Sequence, residues 1–428
     1  MLATMRIAVI GAGASGLVAT WLLQPNYDVT CFEASNDLGG NAQKRIVHVG
    51  GESLSVQLGP TFMMPKDYSA FFKILSILEV PSERTPMQLS VLDDQGRAHF
   101  ISPSLHPFRL GSLSNLTSTK DLYYLRAILN ETLKLAKKSD KSTTWHDFIP
   151  FLDLPKDFIH SVAYPIVSGF FGLNYETASQ ISAYCALLYM ALCLPTLSNG
   201  VQFARSVVGG THRWIEALGD RLRVGTVQLD CPVTRIKPLP GGKVILEHAQ
   251  GEEIFDHVVV TTQPWSAAEF IDDEEIVRAL QKFPSLPAEI AIHPDPLVPV
   301  ANKAWSPAMI FAGTESSQLS TFAGSLGGQK LYRSWITEGT KTPKSILAHH
   351  TFRHLVPLPE VVDAQRSIQS INAKGSIHFA GAWTHDLDSH EAAIRSGIGA
   401  AKALGANNLL LSKIGSPTAR YGFGVKEA

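Results

Sequence analysis

The chain opens on a buried-strand pattern. Arg6 to Ile10 is a short apolar run, and Gly11-Ala-Gly-Ala-Ser-Gly16 follows it directly. Leu17 to Leu23 reads as the start of a helix, and Asp28 to Glu33 as a second strand that ends in an acid. Asp121 to Lys138 has helical spacing, with Leu125, Ile128, Leu129, Leu133 and Ala136 on one side. Thr177 to Ala204 holds no charged residue, and Ile181 to Leu197 is nearly all apolar. A membrane-spanning helix needs roughly 20 apolar residues. This run carries Tyr184 and Tyr189 in its middle, Pro195 near its end and no basic flank, which predicts a helix buried inside protein. An apolar cavity wall is a special case of that reading. Glu289 to His293 and Ala308 to Ala312 read as strands. Ile377 to Phe379 reads as a strand ending at Ala380-Gly381, with a helix from about Ser389 to Leu404.

The first thirty-three residues form strand, glycine loop, helix, strand and acid, and each part has a physical task. Gly11 permits a tight turn. Gly13 lets the backbone approach a pyrophosphate, and Gly16 lets helix and strand pack closely. The helix start at Ala14 and Ser15 offers unpaired N–H groups and a positive dipole end to phosphates. Glu33, followed by Ala34, can accept two hydrogen bonds from a ribose diol, and its charge repels a 2′-phosphate. The expected ligand contains ADP. The motif alone does not separate NAD from FAD, and a ligand-free structural turn is the alternative.

A run of further segments carries a resemblance. Glu33-Ala-Ser-Asn-Asp-Leu-Gly-Gly40 is similar to the E-x5-G-G stretch of the flavin-containing amine oxidase superfamily. There the glycines pass close to the FAD pyrophosphate, which implies that role for Gly40 and Asn41, although the usual residue at the latter position is Arg. Leu58-Gly59-Pro60-Thr61 resembles the turn beside the flavin ring. Val208 to Leu218 resembles a glycine pair opening a helix. Leu229 to Ile236 resembles the strand whose backbone, at Val233, meets the adenine. Ile377 to Gly381 with Ser389 to Gly397 resembles the second FAD signature, which implies cofactor contacts at Gly381, Ala382, His390, Glu391 and Ala392. Asp388 and Glu391 are also spaced as in a capping box, so Glu391 either closes its own helix or meets the flavin. Relatives carry an acid just after the Ala-Gly pair. Here either Asp386 or Asp388 substitutes, or that contact is missing. No cysteine follows Cys231, so non-covalent FAD is expected.

Within the superfamily, Ile292 to Pro299 with Ala304-Trp-Ser306 resembles a bacterial subgroup of predicted NAD/FAD-binding proteins. The layout is also similar to FAD-dependent polyunsaturated fatty acid isomerases. The implied fold class is α/β: a Rossmann-type FAD-binding domain of the GR2, amine-oxidase-like kind, with a second, discontinuous α+β substrate domain. The first is expected from residues 1–75, 201–270 and 365–412, the second from 76–200 and 271–364, with 413–428 as a C-terminal tail.

Composition narrows the function. The chain has 428 residues, with Lys plus Arg 37 against Asp plus Glu 38, and this balance argues against a nucleic-acid partner. Hydrophobic residues at 45% and charged ones at 18% describe a globular protein. The cysteines Cys31, Cys185, Cys193 and Cys231 lack the spacing of a disulfide framework or zinc site. The N-terminus reads as a first strand and not a signal peptide, and a cytoplasmic location is expected. The basic cluster of Lys134, Lys137, Lys138 and Lys141 reads as a solvated helix end, with a peripheral membrane contact as the minor alternative. The expected enzyme is an FAD-dependent oxidoreductase that moves a hydride from a small, largely apolar substrate, lipid or fatty-acyl chains among them, to flavin N5. An amine oxidase, a fatty-acid double-bond isomerase and a non-catalytic flavin-fold accessory protein are the alternatives. No catalytic residue is assigned. Lys303 and Lys330 are the candidates for a lysine near the flavin, and His349, His350 and His354 read as structural, with no metal site expected.

Overall fold

The apolar run Arg6–Ile10 becomes the middle strand of a five-stranded parallel sheet. The order is Ile377–Phe379, His257–Val260, Arg6–Ile10, Asp28–Phe32 and Val227–Gln228. Strands from the beginning, middle and end of the chain therefore share one sheet. The computed structural model describes residues 4–59, 61–65, 67–85, 87–102, 123–124, 126–128, 130–131, 134, 140–192, 204–385 and 388–415. Pro60, Lys137, Lys138, Cys193, Pro195, Asp386 and the tail beyond 415 lie outside them. Of the helix expected over Asp121–Lys138, the described residues are helical, and Ile128 is fully buried.

The helix Ala14–Leu23 is buried at every position. It lies between the sheet and the C-terminal helix His390–Ala403, sharing an apolar cluster with Ile394, Ile398 and Ala401. Glycine sets both spacings. A Cβ on Gly16 would overlap the Gly11 carbonyl oxygen, and one on Gly397 would overlap the Ser15 carbonyl oxygen.

A seven-stranded sheet joins strands from two distant stretches: Leu89–Leu92 and Ala98–Ile101, then Ser285–His293, Ala308–Ala312, Ser317–Leu326, Gln329–Ile336 and Ala348–Leu355. Successive side chains on a strand point to opposite faces. One face sets Leu89, Val91, Ala308 and Ile310 against the helices of residues 145–192. Farther along it sets Ile290, Ile292 and Leu331 against the hairpin Lys44–Val49 and Glu52–Gln57. The other face carries Met309, Phe311 and Tyr332 beneath the segment Leu297–Trp305.

The described part of the charge-free run, Thr177 to Leu192, lies in two helices, Tyr175–Gln180 and Ala183–Leu192, separated where Ile181 turns extended. Leu188 is enclosed in the apolar core beside them, not on an open wall. Among the described residues, no helix is long and apolar enough to cross a membrane. Trp145, Phe148, Phe158 and Phe171 are core residues, whereas Phe151 is 72% exposed.

The C-terminal helix corrects one expectation. Ser389 is its N-cap, accepting from the Ala392 N–H at 3.1 Å, so Asp388 and Glu391 do not form a capping box. Glu391 instead accepts the Ala70 N–H at 2.9 Å and the Phe71 N–H at 3.0 Å, and it pairs with Arg395 Nε at 2.7 Å. Ala70 and Phe71 open the helix Ser69–Ile77, which has no side-chain cap of its own. Its free amides are the kind of donor that a buried acceptor satisfies. Burial raises the Glu391 pKa, and Arg395 with the two amides offsets this. Both carboxylate oxygens are thus engaged by protein donors, and Glu391 is only 2% exposed, so its side chain serves the packing of two helices.

Two predictions follow from this packing. Gly397→Ala forces the two helices apart and should lower stability by about 1–3 kcal/mol, the usual range for overpacking, measured by urea unfolding. His354 is buried beside Trp335 and its pKa is lowered to about 4 by burial. The unfolded chain takes up that proton near pH ~6.5, so stability should fall as pH drops from there toward 4. His354→Leu should flatten the fall by up to one proton, read from the slope of unfolding free energy against pH.

Candidate functional site

The carboxyl ends of the five parallel strands carry the loops expected to hold a dinucleotide. Gly11, at φ +98°, makes the first turn. The chain then bridges Gly13 to Gly39, and the Gly39 N–H donates to the Ala12 carbonyl at 2.9 Å. Gly13 and Gly40 face each other: a Cβ on Gly40 would come within 3.2 Å of the Gly13 Cα. Ala14 and Ser15 start the helix, whose N-cap Gly13 supplies no side-chain acceptor and whose first turn has no acid. The Ser15 hydroxyl is committed to Ser396 Oγ at 3.0 Å, so its contribution to a ligand is its backbone.

Glu33 reaches back over this loop. Its Oε2 accepts the Ala12 N–H at 2.7 Å, and Oε1 accepts the Ser35 N–H and hydroxyl, each at 2.9 Å. A carboxylate has about four acceptor positions. Three are taken, which leaves room for about one ribose hydroxyl, where two were expected. Ala34 is exposed beside it. The Cys231 N–H donates to the Glu33 carbonyl at 2.9 Å and the Asp230 N–H to the Ser35 carbonyl at 3.0 Å. These bonds bring the segment leading to Val233 alongside the second strand's end, and Val233 opens the strand Val233–Pro238.

From Gly40 the contacts continue outward. Asn41 is exposed, and Gly59 packs on it so closely that a Cβ would sit 2.9 Å from the Asn41 carbonyl oxygen. Arg333, on the facing sheet, donates to the Gly59 carbonyl and to Thr61 Oγ1 at 3.0 Å. Pro60 lies outside the described residues. Lys330 is on the opposite face of that strand with its ammonium over the Trp305 ring, and Lys303 is exposed, so neither approaches this turn.

The C-terminal signature closes the other side. Gly381, at φ +146°, donates its N–H to Ser396 Oγ at 2.8 Å, and Ala382 begins a short helical turn to Thr384. Trp383 is buried and donates to the Thr262 carbonyl at 3.1 Å. His390 packs edge-on against Phe71 and Trp214, its Nε2 is buried without a partner, and burial lowers its pKa to about 4, so it is neutral at pH 7. Ala392 is buried and spends its N–H on the Ser389 cap. Asp388 accepts from the Leu355 N–H and is reachable by solvent, while surrounding protein raises its pKa to about 6.

These features fit the ADP half of FAD. A glycine pair with no side chain between its members leads to an uncapped helix start, and a carboxylate keeps one acceptor position open. Buried Thr262 Oγ1, Gln263 Oε1 and His390 Nε2 have no partner in the protein. Arg333, Thr262 and Gln263 were not found from sequence. The one available signal for Arg333 was a lone cation at an inward position, between Leu331 and Trp335.

A model of the flavin containing amine oxidoreductase family matches residues 14–294. Coproporphyrinogen III oxidase of Staphylococcus aureus is 23% identical over 293 residues, and the match spans 60% of each chain. Among solved structures, a putrescine oxidase bound to putrescine superposes with a TM-score of 0.69 at 13% identity, covering 94% of this chain and 99% of that one. A CLA-producing fatty acid isomerase from P. acnes superposes with a TM-score of 0.64 at 15% identity, covering 92% and 97%. These two likenesses establish the fold. The family match takes in about two thirds of the residues, from the start of the first helix to the seven-stranded sheet. The chain belongs to the flavin containing amine oxidoreductase family.

Proposed function

We propose that the protein holds FAD non-covalently between the two sheets and oxidises a small, largely apolar substrate. The observation that carries the cofactor reading is the close approach of the side-chain-free Gly13 and Gly40 loops at the uncapped start of Ala14–Leu23. Bound flavin supplies a hydride acceptor at N5. The first-turn amides of Ala14 to Gly16 would bind the pyrophosphate, with the helix dipole favouring its charge. Glu33 would take one ribose hydroxyl, and the backbone leading to Val233 would meet the adenine. Gly59 and Thr61 would lie along the ring system, with Gly381 and Ala382 across from them. His390, half-buried and neutral, adds no charge there.

Support for an apolar substrate comes from the walls that the insertions supply. The helices of residues 145–192 and the inner face of the seven-stranded sheet share one apolar core, which backs the insertion side of the proposed site. Such walls exclude water from a reacting centre. A fatty acid isomerase shares the fold, which agrees with an acyl chain as the substrate class. An amine substrate is the second reading. Asp388 favours it, as a solvent-reachable carboxyl enclosed by protein at the start of the C-terminal helix.

Purified protein should be yellow, and anaerobic addition of substrate should bleach it. Lipid extract and simple amines, added separately, distinguish the two substrate classes. A colourless protein that takes up no added FAD would support the accessory-protein alternative. Gly13→Val should abolish FAD retention on dialysis. Glu33→Arg should weaken FAD binding roughly 10- to 100-fold, the range for loss of a charge-assisted hydrogen bond worth ~1.5–3 kcal/mol. Full flavin retention by Glu33→Arg would overturn the assignment of the adenosine end.

A further inference from the structure

The seven-stranded sheet turns one cation toward the loops of the first sheet. Arg333 stands on the inward face of Gln329–Ile336, between Leu331 and Trp335. Its guanidinium makes four hydrogen bonds but no ion pair among the described residues. Nε donates to Thr321 Oγ1 at 3.2 Å. Nη1 donates to the Gly59 carbonyl and, at 3.4 Å, to the Gln57 carbonyl, and Nη2 donates to Thr61 Oγ1 at 3.0 Å. Every acceptor is neutral, and among the described residues no carboxylate lies within ion-pair distance of it. Burial lowers its pKa to about 10, which still leaves it charged at pH 7.

A half-buried guanidinium without a carboxylate partner is costly to desolvate. Holding a turn does not require it, because a neutral amide side chain can donate to the same carbonyls. The position of the charge is therefore the informative feature. The turn it grips packs on Asn41 and Ala42, which continue from Gly40 and so from the pyrophosphate cradle at Gly13. A ligand with its ADP end at Gly13 extends its far end along this path.

We propose that Arg333 is a positioning residue that holds the Gly59–Thr61 turn and, by its unneutralised charge, raises the reduction potential of the flavin beside that turn. This rests on the placement of the ring given under Proposed function. Reduction adds negative charge to the ring system. A fixed cation in a site of low dielectric stabilises the reduced form more than the oxidised one.

The test is the two-electron potential of the FAD-loaded protein, measured by equilibration with a reference dye at pH 7. Arg333→Gln keeps amide donors for the turn and removes the charge. It should shift the equilibrium at least tenfold toward oxidised flavin, about 30 mV for a two-electron couple. Arg333→Lys and Thr321→Val keep the charge and should stay within threefold of the parent protein. Equal potentials for Arg333→Gln and the parent would overturn the proposal, as would an equal fall in Arg333→Gln and Arg333→Lys. Arg333→Met is the second neutral variant if Arg333→Gln does not fold. If neither neutral variant folds, the charge-retaining pair decides. Unchanged potentials support the proposal, and a fall in either overturns it. A parent protein that binds no FAD would instead refute the cofactor reading.

Discussion

The arrangement depends on how closely the first helix is held on both sides. Ala14–Leu23 has no solvated face, so its packing cannot relax outward. On one side Gly16 lets it touch the Gly11 carbonyl, and on the other Gly397 lets the C-terminal helix touch the Ser15 carbonyl. Protein interiors are dense enough that one extra methyl at such a crossing shifts both partners. The helix starts where Gly13 meets Gly40, so displacement of this helix would displace the glycine loop with it. The same contact joins the chain's beginning to its end, because the C-terminal helix brings Gly381 and its turn back to the sheet.

Hydrogen bonds extend this junction in the polar direction. Ser396 accepts the Gly381 N–H and meets the Ser15 hydroxyl, which ties the two glycine loops to one side chain. One turn earlier, Glu391 reaches across to the start of Ser69–Ile77. A carboxylate there neutralises a foreign helix start, while the start of Ala14–Leu23 is left without an acid. The two helix ends are thus treated oppositely. The one capped by Glu391 is closed to anions, and the one behind Gly13 stays open to them.

The first βαβ unit could be read from the sequence because its determinants are local. Strand, three glycines, helix and acid lie within thirty-three residues, and each is set by backbone sterics that any sequence context shares. The roles of Glu391 and Arg333 depend on partners far along the chain. Glu391 sits three residues after Asp388, so local spacing suggested a capping box, while its actual donors, Ala70 and Phe71, are more than three hundred residues away. Arg333 grips a turn more than two hundred and seventy residues before it. The charge-free run illustrates the converse limit. Apolar composition foretold burial at Leu188, yet it could not show the break at Ile181, which follows from the docking of two short helices.

The charges along the site have an order that no single residue displays. Glu33 places a carboxylate at the end of the second strand, the uncapped helix start places positive dipole next to it, and Arg333 places a full cation beside Gly59 and Thr61. His390, neutral at pH 7, stands at the start of the C-terminal helix without adding to that series. A molecule matched to the series has neutral hydroxyls first, anionic phosphates next and a group that becomes more negative last. Coulombic terms grow as water is excluded, and the helices of residues 145–192 build an apolar core on the same face of the seven-stranded sheet that carries Arg333. The second sheet therefore carries both an apolar packing face and a cation on that face, while the first sheet carries the glycine loops that the cation's turn packs against.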